Sequence, residues 1–161
     1  MTTAMIAFFV LVTITMGAAR KTPCFDEEDA IDAYLEVIAG QNGGMPPMGY
    51  DKPDCDPDGS YSPLQCVGAS CHCKSADGIQ ISGEFEIALI DKSSCRCKRD
   101  EHEFMMTQMV GQSFDCTATG GYTPVQCTGS VCFCVDFKGD RTGPGSINIA
   151  FVDQLMCDDF K

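Results

Sequence analysis

Residues 65–78 read "QCVGASCHCKSADG" and place cysteines at positions 66, 71 and 73, with a glycine five residues further on. Residues 126–139, "QCTGSVCFCVDFKG", repeat this cysteine spacing and the downstream glycine at an offset of 61 residues. Other residues keep the same register, including the glutamine that opens both stretches. Self-similarity at a fixed spacing predicts two copies of one structural module.

The 12 cysteines of the chain divide into two sets with nearly the same spacing. The first set is Cys24, Cys55, Cys66, Cys71, Cys73 and Cys95, and the second is Cys97, Cys116, Cys127, Cys132, Cys134 and Cys157. A module of about 65 residues buries too little apolar surface to be stable alone, so we expect disulfides to supply the difference. Only Arg96 separates the two sets, which predicts a short, stiff joint.

The N-terminus predicts secretion. An apolar run from Ala4 to Ala19 is too short to span a bilayer and ends in small residues, as a signal peptide does. We therefore expect a signal peptide over residues 1–19 and a secreted, extracellular, soluble product. Disulfides persist in that compartment. The net charge of -12 argues against nucleic acid and anionic membranes as partners and favours a protein surface.

Each module is predicted to open with a helix. In the first module, Asp26 can cap the helix and Gly40 can end it. In the second module, Asp100 and Glu103 resemble a capping box, and Gly111 can end the helix. The apolar residues of the first helix that fall on one face are Ile31, Tyr34, Leu35 and Ile38. Short β-prone pieces and turns follow each helix. The predicted fold class is a small disulfide-rich α+β protein, with a short helix, a small antiparallel sheet and loops in each module.

These residues resemble the thyroglobulin type-1 domain, whose signature is Cys-Asp-x-x-Gly-x-Tyr-x-Pro-x-Gln-Cys followed by Cys-Trp-Cys-Val and a glycine. The first copy reads "PDCDPDGSYSPLQC" then "CHCKSADG", and the second "FDCTATGGYTPVQC" then "CFCVDFKG". The usual tryptophan is His72 or Phe133, the valine is Lys74 in the first copy, and the aspartate is Thr117 in the second. The resemblance covers Cys24 through Cys157.

The resemblance implies two type-1 modules, residues 20–96 and 97–161, each with its cysteines paired in sequential order. The implied disulfides are Cys24–Cys55, Cys66–Cys71, Cys73–Cys95, Cys97–Cys116, Cys127–Cys132 and Cys134–Cys157. From the spacing alone, 15 pairings per module would be open.

Neither a metal, a cofactor nor an enzyme activity is predicted. Cys71, His72 and Cys73 are too closely spaced for a typical zinc site, and the second copy lacks the histidine. The first residues of segment 54–65 resemble a calcium-binding loop, but the last position is Gln65, where a bidentate carboxylate is needed. The chain has only 2 histidines and no cysteine expected to be free, which leaves little for nucleophilic catalysis.

The resemblance implies protein binding by loops. Inhibitory members of the family, the thyropins, block papain-like cysteine proteases with a wedge of loops, which here corresponds to residues 40–54 and 75–83. The predicted protease-binding residues are Gln41, Asn42, Gly43, Gly44, Met45, Pro46, Pro47, Met48, Asp77, Gly78 and Ile79. In the second module the corresponding loops are 111–115 and 136–145. The methionines 105, 106 and 109 recur at helical spacing and are predicted to be core.

The leading hypothesis is a secreted inhibitor of papain- and cathepsin-type cysteine proteases that acts by reversible loop insertion into the active-site cleft. One alternative is a non-inhibitory extracellular binding module for a growth factor, a receptor or a matrix protein. The family also allows inhibition of aspartic or metalloproteases. Fold alone does not choose among these functions.

Overall fold

The computed structural model describes residues 22–45, 47 and 49–157, so the predicted signal peptide lies outside the described residues. Two units of the same design follow one another, each with one helix, a three-stranded antiparallel sheet and a 3-10 helix. This confirms the predicted fold class.

The first module contains helix α1 and a sheet in the order β1-β2-β3. Its elements are α1 (Pro23–Gln41), β1 (Leu64–Val67), β2 (Ser70–Cys73), β3 (Phe85–Glu86) and a 3-10 helix (Ile87–Lys92). The hairpin of β1 and β2 places Cys66 opposite Cys71. Gly68, in the turn, has a φ of 58°, which an L side chain rarely adopts.

The second module repeats this arrangement with a longer third strand. Its elements are α2 (Arg96–Met106), β4 (Val125–Thr128), β5 (Val131–Val135), β6 (Arg141–Asn148) and a 3-10 helix (Ile149–Gln154). The sheet order is β4-β5-β6, and Cys127 pairs with Cys132 as in the first module. A register shift between Phe133 and Cys134 marks an irregularity where β5 meets β6.

The core of each module consists largely of disulfides. The bonds are Cys24–Cys55, Cys66–Cys71, Cys73–Cys95, Cys97–Cys116, Cys127–Cys132 and Cys134–Cys157. Six of the cysteines have no accessible surface: Cys24, Cys71, Cys73, Cys95, Cys97 and Cys132. Few large apolar side chains are buried beside them, so cross-links take the place of an extended apolar core.

The limits and packing of α1 differ from the prediction. The helix begins at Pro23 after Thr22, so Asp26 lies in the first turn rather than at the cap, where its charge complements the helix dipole. Gly40 lies inside the helix, which ends before Asn42. Of the helix residues, only Cys24 is fully buried, and Tyr34 is exposed. The fully buried attachment of α1 to its module is therefore the Cys24–Cys55 disulfide rather than an apolar face.

The second helix also differs from the prediction. It begins at Arg96, directly after disulfide-bonded Cys95, so Asp100 and Glu103 lie inside the helix and form no capping box. It ends at Met106, five residues before Gly111, and Gln108 follows with a left-handed φ of 57°. The prediction of core methionines is wrong, because the exposed fractions of the side chains at 105, 106 and 109 are 62, 66 and 60%. The aromatic contact of Phe104 with Phe114 packs this part of the module without them.

A tyrosine, an acid and a glycine form the same contact in both modules. The Tyr61 hydroxyl donates to the Glu27 carboxylate, and a Cβ at Gly78 would lie 2.7 Å from the tyrosine ring. In the second module the Tyr122 hydroxyl donates to Asp100 at 2.5 Å, and Gly139 lies against its ring. Each acid lies three residues after the first cysteine of its module. The contact therefore ties the helix to the turn that follows the Cys-x-Cys strand.

Tyr61→Phe is expected to remove one step from the alkaline titration of the protein. The hydrogen bond to Glu27, together with burial, raises the pKa of Tyr61 to about 12, from an ordinary value of 10.0. Because folding raises the pKa of Tyr61, its protonated hydroxyl contributes to the free energy of unfolding. This contribution is fully present below pH 10 and is lost as the pH rises towards 12. Tyrosinate absorbance should show a step near pH 12 that is missing from the variant. Full ionisation of all 4 tyrosines near pH 10 would contradict this expectation.

The two modules are packed against each other at their joint. Cys95, with a φ of 53°, leads straight into α2. Gly120 of the second module lies against the Cys73–Cys95 disulfide of the first, and a Cβ there would be 2.9 Å from the Cα of Cys95. The Ser94 hydroxyl donates to the carbonyl of Phe137 at 3.0 Å. The joint therefore has contacts beyond the chain that connects the modules.

Candidate functional site

The first predicted loop leaves the end of α1 through a glycine turn. Gln41 is the last residue of the helix, and Asn42 begins the turn. Gly43 and Gly44 have φ values of 69° and 91°, and no atom lies within 4 Å of the Cβ position of either. Met45 follows with 72% of its surface exposed. Glycine is needed for this backbone, and the turn carries an apolar side chain into solvent.

Of the predicted loop residues further on, Pro46 and Met48 lie outside the described residues, and Pro47 is half-buried.

The return half of this loop is attached along α1. The ring of Tyr50 lies 5.3 Å from that of Tyr34, and their hydroxyls are 3.2 Å apart. Lys52 donates to Asp32 at 2.6 Å. The carboxylate of Asp51 accepts from the backbone of the β1–β2 turn. These are exposed contacts of small individual worth, but together they hold one side of the loop against the helix.

Gln65 closes the base of the loop and was not singled out as a functional residue from the sequence. Its buried amide accepts from the backbone N–H of Asp54 at 3.0 Å and donates to the carbonyls of Asp54 and Ser62, each at 2.8 Å. Gln126 makes the equivalent contacts with Asp115. The sequence signal for this role is that Gln65 and Gln126 occupy equivalent positions in the two repeats. A neutral amide in this position serves as a backbone clamp.

The second predicted loop is a tight turn after β2. The hydroxyl of Ser75 donates to Asp77 at 2.5 Å and accepts from the backbone N–H of Ile79 at 2.9 Å. Hydrogen bonding by the Ser75 hydroxyl is the main reason that the pKa of Asp77 is lowered. Gly78 lies against the Tyr61 ring, while Asp77 and Ile79 are exposed. The turn therefore has a fixed shape with two exposed side chains.

The two loops are attached to the same disulfide-bonded frame. The first is held to α1, and the second rests on Tyr61, which is bonded to Glu27 of the same helix. Within the part of the chain that the structure describes, no hydrogen bond or ion pair joins residues 41–45 to residues 77–79. Each loop is thus positioned independently by the disulfide-bonded frame.

In the second module both loop boundaries need correction. Because α2 ends at Met106, the first loop begins at Thr107 rather than at 111, and it contains Val110, which is 94% exposed. The segment 136–145 is a loop only up to residue 140, since β6 begins at Arg141 and pairs with β5. The guanidinium of Arg141 lies 3.8 Å from the centre of the Phe133 ring, a cation–π contact that favours this pairing.

The segments that the structure describes include no helix long and apolar enough to cross a membrane.

The cysteines beside His72 are both disulfide-bonded, and burial is the main reason that the pKa of His72 is lowered. The exposed side chains of the described loop residues include the apolar Met45 and Ile79 and the carboxylate of Asp77. This arrangement is suited to binding a protein surface.

Comparison with known proteins identifies the modules. The sequence model of the thyroglobulin type-1 repeat matches residues 32–88 and 96–147, together more than half of the chain. The chain is 30% identical to thyroglobulin of Bos taurus over 117 residues, which are 69% of this chain and 4% of that protein. It is also 30% identical to equistatin of Actinia equina over 105 residues, 58% of this chain and 44% of equistatin. The chain therefore spans only a small fraction of thyroglobulin and less than half of equistatin, and it belongs to the thyroglobulin type-1 family as a tandem of two repeats.

Proposed function

We propose that this chain is a secreted inhibitor of papain-like cysteine proteases, and that the first module occupies the active-site cleft reversibly with residues 41–48 and 77–79. The observation that carries the proposal is the exposed Met45 on a glycine turn whose base is cross-linked. The family comprises inhibitors and binding modules rather than enzymes. The similarity to equistatin and the family's use of these loops support the inhibitory role.

The physical argument rests on preorganisation. A loop held by the Cys24–Cys55 disulfide, the Gln65 amide and the Lys52–Asp32 contact loses little conformational entropy when it docks. The apolar Met45 side chain gains from leaving water, while the Gly43–Gly44 backbone is narrow enough to enter a groove. All twelve cysteines are disulfide-bonded, so the chain offers no free thiol for covalent attachment, which supports reversible binding.

Met45→Glu is expected to raise the inhibition constant for papain by about tenfold or more, because a charge would have to be buried in the cleft. Met156→Glu is the matched control, since Met156 is equally exposed, at 72%, but belongs to the second module. Inhibition constants of the refolded mature chain, its six disulfides checked by mass spectrometry, measure the effect. Equal weakening by both variants would overturn the role of Met45.

A second variant tests the loop as a whole. Replacing residues 44–48 with a short Gly-Ser linker should abolish inhibition while leaving the disulfides and the thermal transition intact. Inhibition that survives the replacement would overturn the loop assignment. A wild-type chain that does not inhibit papain or a cathepsin L-type enzyme at micromolar concentration would overturn the proposed function. Direct assays on aspartic and metalloproteases, and binding assays with growth factors, receptors and matrix proteins, would then distinguish the alternatives.

Secretion and the module boundaries are part of the proposal. We expect the exported chain to begin at Arg20 after removal of residues 1–19, with modules at 20–96 and 97–161. N-terminal sequencing of protein recovered from the culture medium measures the first boundary, and retention of the intact precursor inside the cell would overturn it.

A further inference from the structure

One side chain of the second module reaches deep into the first. The guanidinium of Arg99, on α2, donates to the backbone carbonyl of Tyr61 and to that of Lys74, the latter at 3.1 Å from Nη2 and 3.3 Å from Nε. It also lies 3.5 Å from the carboxylate of Asp56, and only 12% of its side chain is exposed. Helix α2 is therefore fixed against the first module by a largely covered cation with several bonds.

This contact places α2 beside the second binding loop of the first module. Lys74, whose carbonyl Arg99 holds, immediately precedes the Ser75–Ile79 turn. The pKa of Asp77 is lowered mainly by the hydrogen bond from the Ser75 hydroxyl, with a smaller electrostatic contribution from His102, one helical turn after Arg99. The bond from Arg99 to the Lys74 carbonyl therefore places the first turn of α2 next to the start of this loop.

The same stripe of α2 continues to an exposed apolar end. Arg99, His102 and Met106 are spaced i, i+3 and i+7, which places them on one helix face. Arg99 and His102 are both partly covered, whereas Met106, further along the same stripe, is 66% exposed. The neighbouring exposed apolar residues are Met105, Met109 and Val110, and Ile79 is exposed on the loop that α2 adjoins. A methionine-rich apolar surface of this kind is typical of a protein-binding site.

We propose that the C-terminal half of α2 and the residues up to Val110 form one continuous binding edge with the Asp77–Ile79 loop. A protease that accepts the loops of the first module in its cleft also contacts Met106 and its apolar neighbours with the surface beside that cleft. The inference rests on the proposed function and extends it, since the second module becomes part of the inhibitory footprint. Because this apolar surface adjoins the Asp77–Ile79 loop, we expect the protease that binds the loop to cover this surface as well.

The test compares three full-length mature chains against papain. Met106→Glu is expected to raise the inhibition constant about tenfold, whereas Met156→Glu, at a similarly exposed methionine, should leave it unchanged. Met106→Ser, which introduces no charge, should give a smaller increase in the same direction. Unchanged thermal transitions of the variants show that the effects arise at the interface.

A second measurement is independent of any substitution. Hydrogen exchange of the wild-type chain with bound papain should show protection at residues 102–110 as well as in the loops of the first module. Protection of the loops alone, with a Met106→Glu inhibition constant equal to that of the wild type, overturns this inference but leaves the proposed function standing. A wild-type chain that neither binds nor inhibits papain overturns both.

Discussion

Gly120→Ala is expected to destabilise the protein by about 3 kcal/mol, because it combines backbone strain with a steric clash. Gly120 has a φ of 81°, and a Cβ there would collide with the sulfur of Cys73 and lie 2.9 Å from the Cα of Cys95. Neither neighbour can move freely, since both belong to a buried disulfide. The free energy of unfolding, measured by guanidinium chloride denaturation of the oxidised chain, tests the expectation.

Gly129→Ala is the control that separates strain from the clash. Gly129 also has a positive φ, 59°, but no atom lies within 4 Å of its Cβ position. Its substitution should cost only about 1 kcal/mol, the strain of a left-handed backbone. A Gly120 variant no less stable than the Gly129 variant would contradict the close packing of the two modules at this disulfide.

Arg99→Met is expected to destabilise the chain by a similar amount, about 3 kcal/mol, through loss of the contacts between the modules. Methionine keeps an apolar stem of comparable length but cannot donate to the carbonyls of Tyr61 and Lys74, and it leaves Asp56 without its cation. The variant should unfold at a lower guanidinium chloride concentration. Because the lost contacts cross the joint, the modules should also begin to unfold in separate transitions.

Arg99→Lys shows how much of this effect is charge alone. Lysine keeps the positive charge near Asp56 but lacks the planar fork that reaches two carbonyls, so we expect it to recover less than half of the lost stability. If Arg99→Lys is as stable as the wild type, the bonds to the carbonyls contribute little. If the stability of Arg99→Met also equals that of the wild type, the bonds that Arg99 makes to the first module do not contribute to stability.

The sequence was most informative where structure depends on short stretches of chain. The recurrence of the Cys66, Cys71 and Cys73 spacing 61 residues later predicts a second module, and the structure contains the same hairpin in both copies. The paired tyrosines, Tyr61 and Tyr122, and the paired glutamines, Gln65 and Gln126, also keep the register of the repeat. Residues that do the same work in two copies remain in register, and this register can be read without coordinates.

The sequence was least informative about where helices end and which of their faces are buried. Local signals placed the stop of the second helix at Gly111, yet its turn of left-handed backbone comes at Gln108. Helical spacing predicted that Met105, Met106 and Met109 would be core, but the disulfides and the Phe104–Phe114 contact fill that role. Periodicity shows that residues share a face, but it does not show whether anything covers that face.

The sequence by itself determined the two-copy architecture, because a repeat at a fixed offset can be read without coordinates, while the resemblance to the family supplied the disulfide pairing and the expected binding loops. Only the tertiary structure decided how the modules meet and what surface they present together. Arg99 has no counterpart in the first module, where Asp26 occupies the equivalent position, so the repeat gave no hint of its partners. Its bonds to Tyr61 and Lys74 join groups 38 and 25 residues apart, and such contacts arise only once both modules are folded and oriented.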